Sequence, residues 1–200
     1  MPTAVRPSRL AHCVTRPGRG DHAYDGVAIS WHDDETVLAA HDEWMAKRKG
    51  GDSVVDDDAT TSVCVEERTA LGSGWLNERW RDSGGPPRLL LLGFIEAAEA
   101  LTQEQFRDYW WDQHRPFANR LVPADLEPLA YVHDYVLPHE PGRWAGIGEM
   151  YERSLGVARE RGAWFGRDEA LPLVADEERF LVRDTRQVLV TDQEVITPAG

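Results

Sequence analysis

The stretch LLLLGFIEAAEALTQEQFRDYWWDQHRPFANRL, Leu89 to Leu121, decides how the rest of the chain is read. It opens with an apolar run, Leu89 to Ile95, short enough for a buried strand. After a polar connection, Thr102-Gln103-Glu104-Gln105 has the pattern of a capping box, in which the Thr102 hydroxyl takes an orphan N–H and Gln105 reaches back. The helix that starts there carries Phe106, Trp110, His114, Phe117 and Leu121. At about 100° per residue these fall in one stripe roughly 80° wide, which faces whatever the helix packs on. His114 is the titratable member of that stripe. Pro116 removes a backbone donor just after it, so the helix is expected to kink or fray there. A histidine so placed is either a core residue bonded to a carbonyl or an acid/base group.

Composition narrows the class. The chain has 200 residues, enough for one ordinary domain or two small ones with a core. Its apolar (42%) and charged (28%) shares are those of a globular protein. A net charge of −13 argues against nucleic acid or an anionic membrane as the main partner, since both demand a basic face. It suits a soluble monomer or small oligomer, a homodimer included. Cys13 and Cys64 have no metal-ligand spacing and read as free thiols in a reducing compartment. With no apolar run of membrane-spanning length and no signal-peptide core, a cytoplasmic protein is expected. The seven histidines form no HxH or HxxxH pair, and the Asp56-Asp57-Asp58 run lacks EF-hand spacing. No phosphate loop, GxGxxG, GxSxG or catalytic-cysteine context appears, so no metal or nucleotide cofactor is expected.

Taken in order, strands are expected at Leu10–Thr15, Val27–Trp31 and Thr61–Glu66, with a helix over Asp34–Lys47. Pro17–Gly20 reads as a turn, and Gly50-Gly51 and an acidic loop, Asp52–Asp58, follow the helix. Leu71–Pro87, rich in Gly, Trp, Arg and Pro, reads as a linker between a first part (residues 1–70) and a second (88–200). Beyond the central helix come a strand at Leu129–Leu137, a strand at Trp144–Tyr151, a helix at Glu152–Trp164 and a last strand at Arg186–Ile196. Alternation puts Leu129, Tyr131, His133, Tyr135 and Leu137 on one strand face. The second part thus runs β-α-β-β-α-β, the ferredoxin-like order. The first part echoes its end. With Gly26 set opposite Gly146, Val27 meets Ile147, Trp31 meets Tyr151, Val37 meets Val157 and Trp44 meets Trp164 without a gap. The pattern reads as an internal duplication whose first copy begins at its second strand. Two such sheets packed face to face would make a pseudo-dimeric α+β barrel.

Tyr109-Trp110 and His114-Arg115-Pro116-Phe117 after a capped helix start resemble the signature of EthD-like proteins of the dimeric α+β barrel superfamily. Tyr131-Val132, Val136-Leu137, the strand Trp144–Glu149 and Asp176-Glu177-Glu178-Arg179-Phe180 are similar to it as well. The resemblance covers roughly residues 88–196. It implies a pocket between the sheet and the helix carrying His114, in which His114 acts as acid or base on a small aromatic or polyketide-like molecule without a cofactor. Cyclisation, isomerisation, dehydration and decarboxylation are the reactions it implies.

Within that frame Tyr131, His133 and Tyr135 would supply a proton or hold an oxyanion opposite His114. Glu149 would orient a histidine or pair with a surface arginine. Phe106, Trp110, Phe117 and Leu91 would form apolar walls that exclude water. Two alternatives stand beside this reading: a non-catalytic binder of a hydrophobic metabolite, and a haem-dependent or monooxygenase-type relative.

Overall fold

The computed structural model describes residues 7–16, 24–47, 60–81, 85–138, 140 and 142–197. The turn at Pro17–Gly20, the Gly50-Gly51 stop and the acidic loop at Asp52–Asp58 lie outside them, as does the Trp44 side chain. The strands are β1 (Arg9–Thr15), β2 (Gly26–Trp31), β3 (Val65–Leu71), β4 (Arg88–Ile95), β5 (Ala130–Val136), β6 (Gly146–Tyr151) and β7 (Gln187–Thr197). The helices are α1 (Glu35–Ala46), α2 (Ser73–Arg81), α3 (Gln103–Asp108), α4 (Arg115–Leu121), α5 (Leu155–Trp164) and α6 (Leu171–Glu177), with a π-helical segment, Tyr109–His114, between α3 and α4. Among the described residues no helix is long and apolar enough to cross a membrane.

All seven strands join one antiparallel sheet in the order β2-β1-β7-β4-β6-β5-β3. Of the expected barrel the structure shows the coarser part, a mixed α+β fold whose one sheet curls into a half-barrel. The early strands satisfy the open edges left by the later ones, β1 bonding to β7 and β3 to β5. An unpaired edge exposes a row of backbone donors and acceptors, and these pairings cover it. The sheet curls so far that its two outermost strands touch: the Trp31 indole N–H of β2 donates to Glu67 of β3. Arg9 on β1 lies 3.8 Å from the same carboxylate, with its guanidinium over the Trp31 and Trp80 rings.

The concave face holds the larger core. Ala11, Leu90, Leu92, Val132, Leu189 and Val195 alternate inward from four strands, as period-2 patterning requires. The expected linker contributes to it. Ser73–Arg81 is the helix α2, whose Leu76 and Trp80 are buried in this core while the Arg79 guanidinium donates to the Gln193 carbonyl. Gly72, at φ +77°, makes the turn from β3 into α2, and a Cβ there would sit 2.2 Å from the Leu129 carbonyl oxygen. The composition of this segment hid a one-turn repeat of Trp75, Leu76, Arg79 and Trp80.

Several boundaries moved for local reasons. The helix expected from Glu152 starts at Leu155, because Glu152 is drawn into a buried ion pair with Arg161 and Ser154 supplies the cap, accepting from the Val157 N–H. The strand expected at Thr61–Glu66 runs Val65–Leu71, in register with β5.

Candidate functional site

The convex face of β4, β5 and β6 carries the central helix. Its capping box forms: the Gln105 N–H donates to Thr102 Oγ1 at 3.2 Å and the Thr102 N–H donates to Gln105 Oε1 at 2.9 Å. The irregularity expected beside Pro116 is the π-helical segment, in which the Arg115 N–H reaches back to the Trp110 carbonyl. Pro116 has no N–H for an α-helical bond to Asp112, and the wider turn accommodates its ring. The same widening divides the predicted stripe. Phe106 and Trp110 pack with Tyr135 and Phe180. Phe117 and Leu121 turn instead to a second cluster with Leu126, Trp164 and Leu173.

His114 is 7% exposed, and its Nδ1 lies 2.8 Å from Asp176 Oδ2 at the end of α6. The Tyr109 hydroxyl donates to the other carboxylate oxygen at 2.7 Å. An ionised carboxylate only accepts, so Nδ1 is the nitrogen that donates its hydrogen to Asp176. Burial and the Asp176 carboxylate hold the Tyr109 phenol above its ordinary range, which keeps it a donor. The Phe180 ring stands 4.7 Å from the imidazole.

Opposite, the alternation of β5 points Tyr131, His133 and Tyr135 at this helix, as the sequence pattern requires. His133 is fully buried and stacked on Trp110 at 4.0 Å and 12°. Tyr131 meets it edge-on at 4.6 Å, and its Nδ1 is 3.1 Å from the Tyr135 hydroxyl. Its Nε2 is buried with no hydrogen-bond partner among the described residues. Burial first, and then the neighbouring His114 and Arg115 side chains, push the ring well below its ordinary value and keep it neutral. Burial also raises the Tyr131 and Tyr135 phenols, so both stay protonated donors. Gly146 makes room for the stack, since a Cβ there would sit 2.6 Å from the Trp110 ring.

Two of the expected wall residues lie apart from this cluster. Leu91 is half-buried on the same sheet face, in a row with Met150 and Tyr131, and Phe117 belongs to the second cluster. Glu149 requires a correction. It lies on the concave face, fully buried, accepting from the Tyr151 hydroxyl at 2.7 Å, and can orient no histidine of the convex face. A strand position of the wrong parity sends a side chain through the sheet. Next to it, burial and the neighbouring Glu149 and Glu67 hold Asp134 well above the carboxylate range. Glu149 is itself pushed up to about 7, by burial first and then by Glu67.

The residue that takes the role assigned to Glu149 is Asp176, with Tyr109 as its second donor. The Asp176–Phe180 segment was the one clue in the sequence, and nothing there pointed to a pairing between residues so far apart. Among the described residues no three His, Cys, Asp or Glu side chains converge as a metal-ligand set. A surface cavity of about 250 Å³ beside Gln103, Leu137, Arg143 and Trp144 includes none of the predicted site residues. Comparison with protein-family models, with curated proteins and with solved structures finds no match for this chain.

Proposed function

We propose that this chain is an acid/base enzyme acting without a cofactor on a small aromatic or polyketide-like molecule. The observation that carries the reading is the Tyr109–Asp176–His114 array. A buried carboxylate fixes the tautomer and orientation of a histidine and leaves Nε2 to take or return a proton. Neutral His133 and the tyrosines beside it then serve as donors to a developing oxyanion, and Phe106, Trp110 and Phe180 keep water away from the transfer. Proton abstraction next to a carbonyl followed by cyclisation, isomerisation or dehydration uses this set of groups.

The proposal extends to the fold. The order β7-β4-β6-β5 of the later strands and the equal spacing of β2 with β6 and of α1 with α5 support an EthD-like pseudo-dimeric barrel. The first copy would lack its first βα unit, which would leave one strand position unfilled between β2 and β3.

Native mass spectrometry of the purified protein, followed by incubation of any carried aromatic metabolite with wild type and His114→Asn, tests the activity. The expected result is a loss of turnover of about a hundredfold or more with the fold retained. Wild-type turnover by the variant ends the acid/base reading, and a Soret band in the purified protein replaces it with haem chemistry.

A further inference from the structure

The edge of the convex site nearest β3 is lined by arginines, in a protein whose net charge is −13. Arg68 stands directly opposite His133 in the β3–β5 register. Arg107 and Arg115 flank Trp111 along the central helix. The Arg115 guanidinium lies 4.0 Å from the Trp111 ring centre and that of Arg68 lies 5.7 Å from it. Arg68 and Arg107 also lie over the Tyr135 ring, at 5.6 and 5.4 Å. One carboxylate serves this group: Glu66 pairs with Arg107 at 2.7 Å and with Arg68 at 3.1 Å. Arg115 donates through Nε to the Trp111 carbonyl, and among the described residues no carboxylate lies within ion-pair distance of it. Three cations against one anion therefore sit on an aromatic surface. The Trp111 ring leads edge-on to His133 at 5.9 Å, whose buried Nε2 has no hydrogen-bond partner among the described residues.

We infer that Arg115 and Arg68 bind the carboxylate of a planar aromatic acid, holding its ring along Trp111 and directing its reacting end toward His133. The inference rests on the acid/base reading for where the substrate lies, and adds its chemical class. Arginine suits the task because its planar fork pairs bidentately with a carboxylate and stacks on aromatic rings. A lysine at either position would keep the charge and lose both properties. The arginines otherwise only cover the aromatic side chains with their stems, and the two roles separate by experiment.

Isothermal titration of 2-naphthoate and of its uncharged isostere 2-naphthamide into the full chain provides the test. Wild type should bind the acid about tenfold or more tightly than the amide, as a charge-assisted pair requires. Arg115→Met and Arg68→Met keep the stem over the rings and should each reduce that preference to about threefold or less, with amide affinity unchanged. Should one variant fail to fold, the other carries the test. Equal affinity for acid and amide, no saturable binding of either, or a preference that survives both substitutions overturns the inference. Because the readout is binding, a collapse of His114-dependent turnover would leave this pattern standing. Equal affinities beside intact His114-dependent turnover would remove the anion seat alone.

Discussion

On the concave face Asp134, Glu149, Tyr151 and Gln193 lie on three strands of one sheet, and their hydrogen bonds run along or between those strands. On the convex face His114 and Asp176 pair from a π-helical turn and a short helix, and His133 stacks from a strand on Trp110 of the same turn, contacts that exist only because those elements pack together. Both groups are buried, and a list of perturbed ionisable residues would rank the concave one higher. The difference in origin separates their roles. A network within one sheet follows from the register that builds the sheet. A network drawn from separate elements spends burial and packing to aim chosen atoms at a common space, which is what a site needs. The faces also respond to acid in opposite directions, because concave burial favours the protonated form of acids and convex burial favours the neutral form of a base.

The largest expected effect comes from removing the centre of the convex face. Trp110→Ala should cost about 4 kcal/mol in urea unfolding, as loss of a fully buried aromatic ring does, and His133 should then titrate nearer its ordinary value by NMR. A loss below about 1 kcal/mol would mean that this face is not a packed core. Asp176→Ala should follow at about 3 kcal/mol, since a buried and a half-buried donor lose their acceptor together. A cost no larger than that of a surface alanine would break the claim that the array is one unit.

Proton linkage sharpens the comparison further. The folded pKa of Glu149 is raised from 4.5 to about 7, so its contribution is present at low pH and lost as pH rises across that window, with Asp134 adding in the same sense. The folded pKa of His133 is lowered from 6.5, so its contribution is present above that value and lost as pH falls below it. Between about pH 4.5 and 6.5 the two oppose each other. Glu149→Gln should therefore steepen the rise of stability with pH, and His133→Gln should steepen its fall, each by up to about 1.4 kcal/mol per pH unit. Denaturant melts at four or five pH values are enough, and slopes that move in the same direction in both variants would refute the opposition. The smallest effect belongs to Thr102→Ala, about 1 kcal/mol for the lost cap, read from the same melts.

What could be read from the sequence was local. The capping box at Thr102, the strand alternation through Tyr131, His133 and Tyr135, and the irregularity before Pro116 depend on neighbours within a few positions. Asp176 was invisible because its partner His114 is 62 positions away and α6 is too short to show a period. Glu149 was assigned to the wrong side because one residue of parity reverses a strand's faces. The single sheet was hidden for a related reason, since β1 finds β7 only after the whole chain has folded back. In α2 the glycine and proline around a short amphipathic turn outweighed its own periodicity.

The contact between β2 and β3 carries a further consequence. Every other neighbouring pair of strands is stitched by a ladder of main-chain hydrogen bonds, whereas this seam is fastened by Trp31 and Arg9 reaching Glu67. Among the described residues, opening there breaks the indole hydrogen bond and the ion pair to Glu67 and leaves every ladder intact, so the half-barrel has a built-in weakest line. Amide protons on β2 and β3 should exchange with solvent sooner than those on β4 and β6, and unrolling of the sheet should begin at that line.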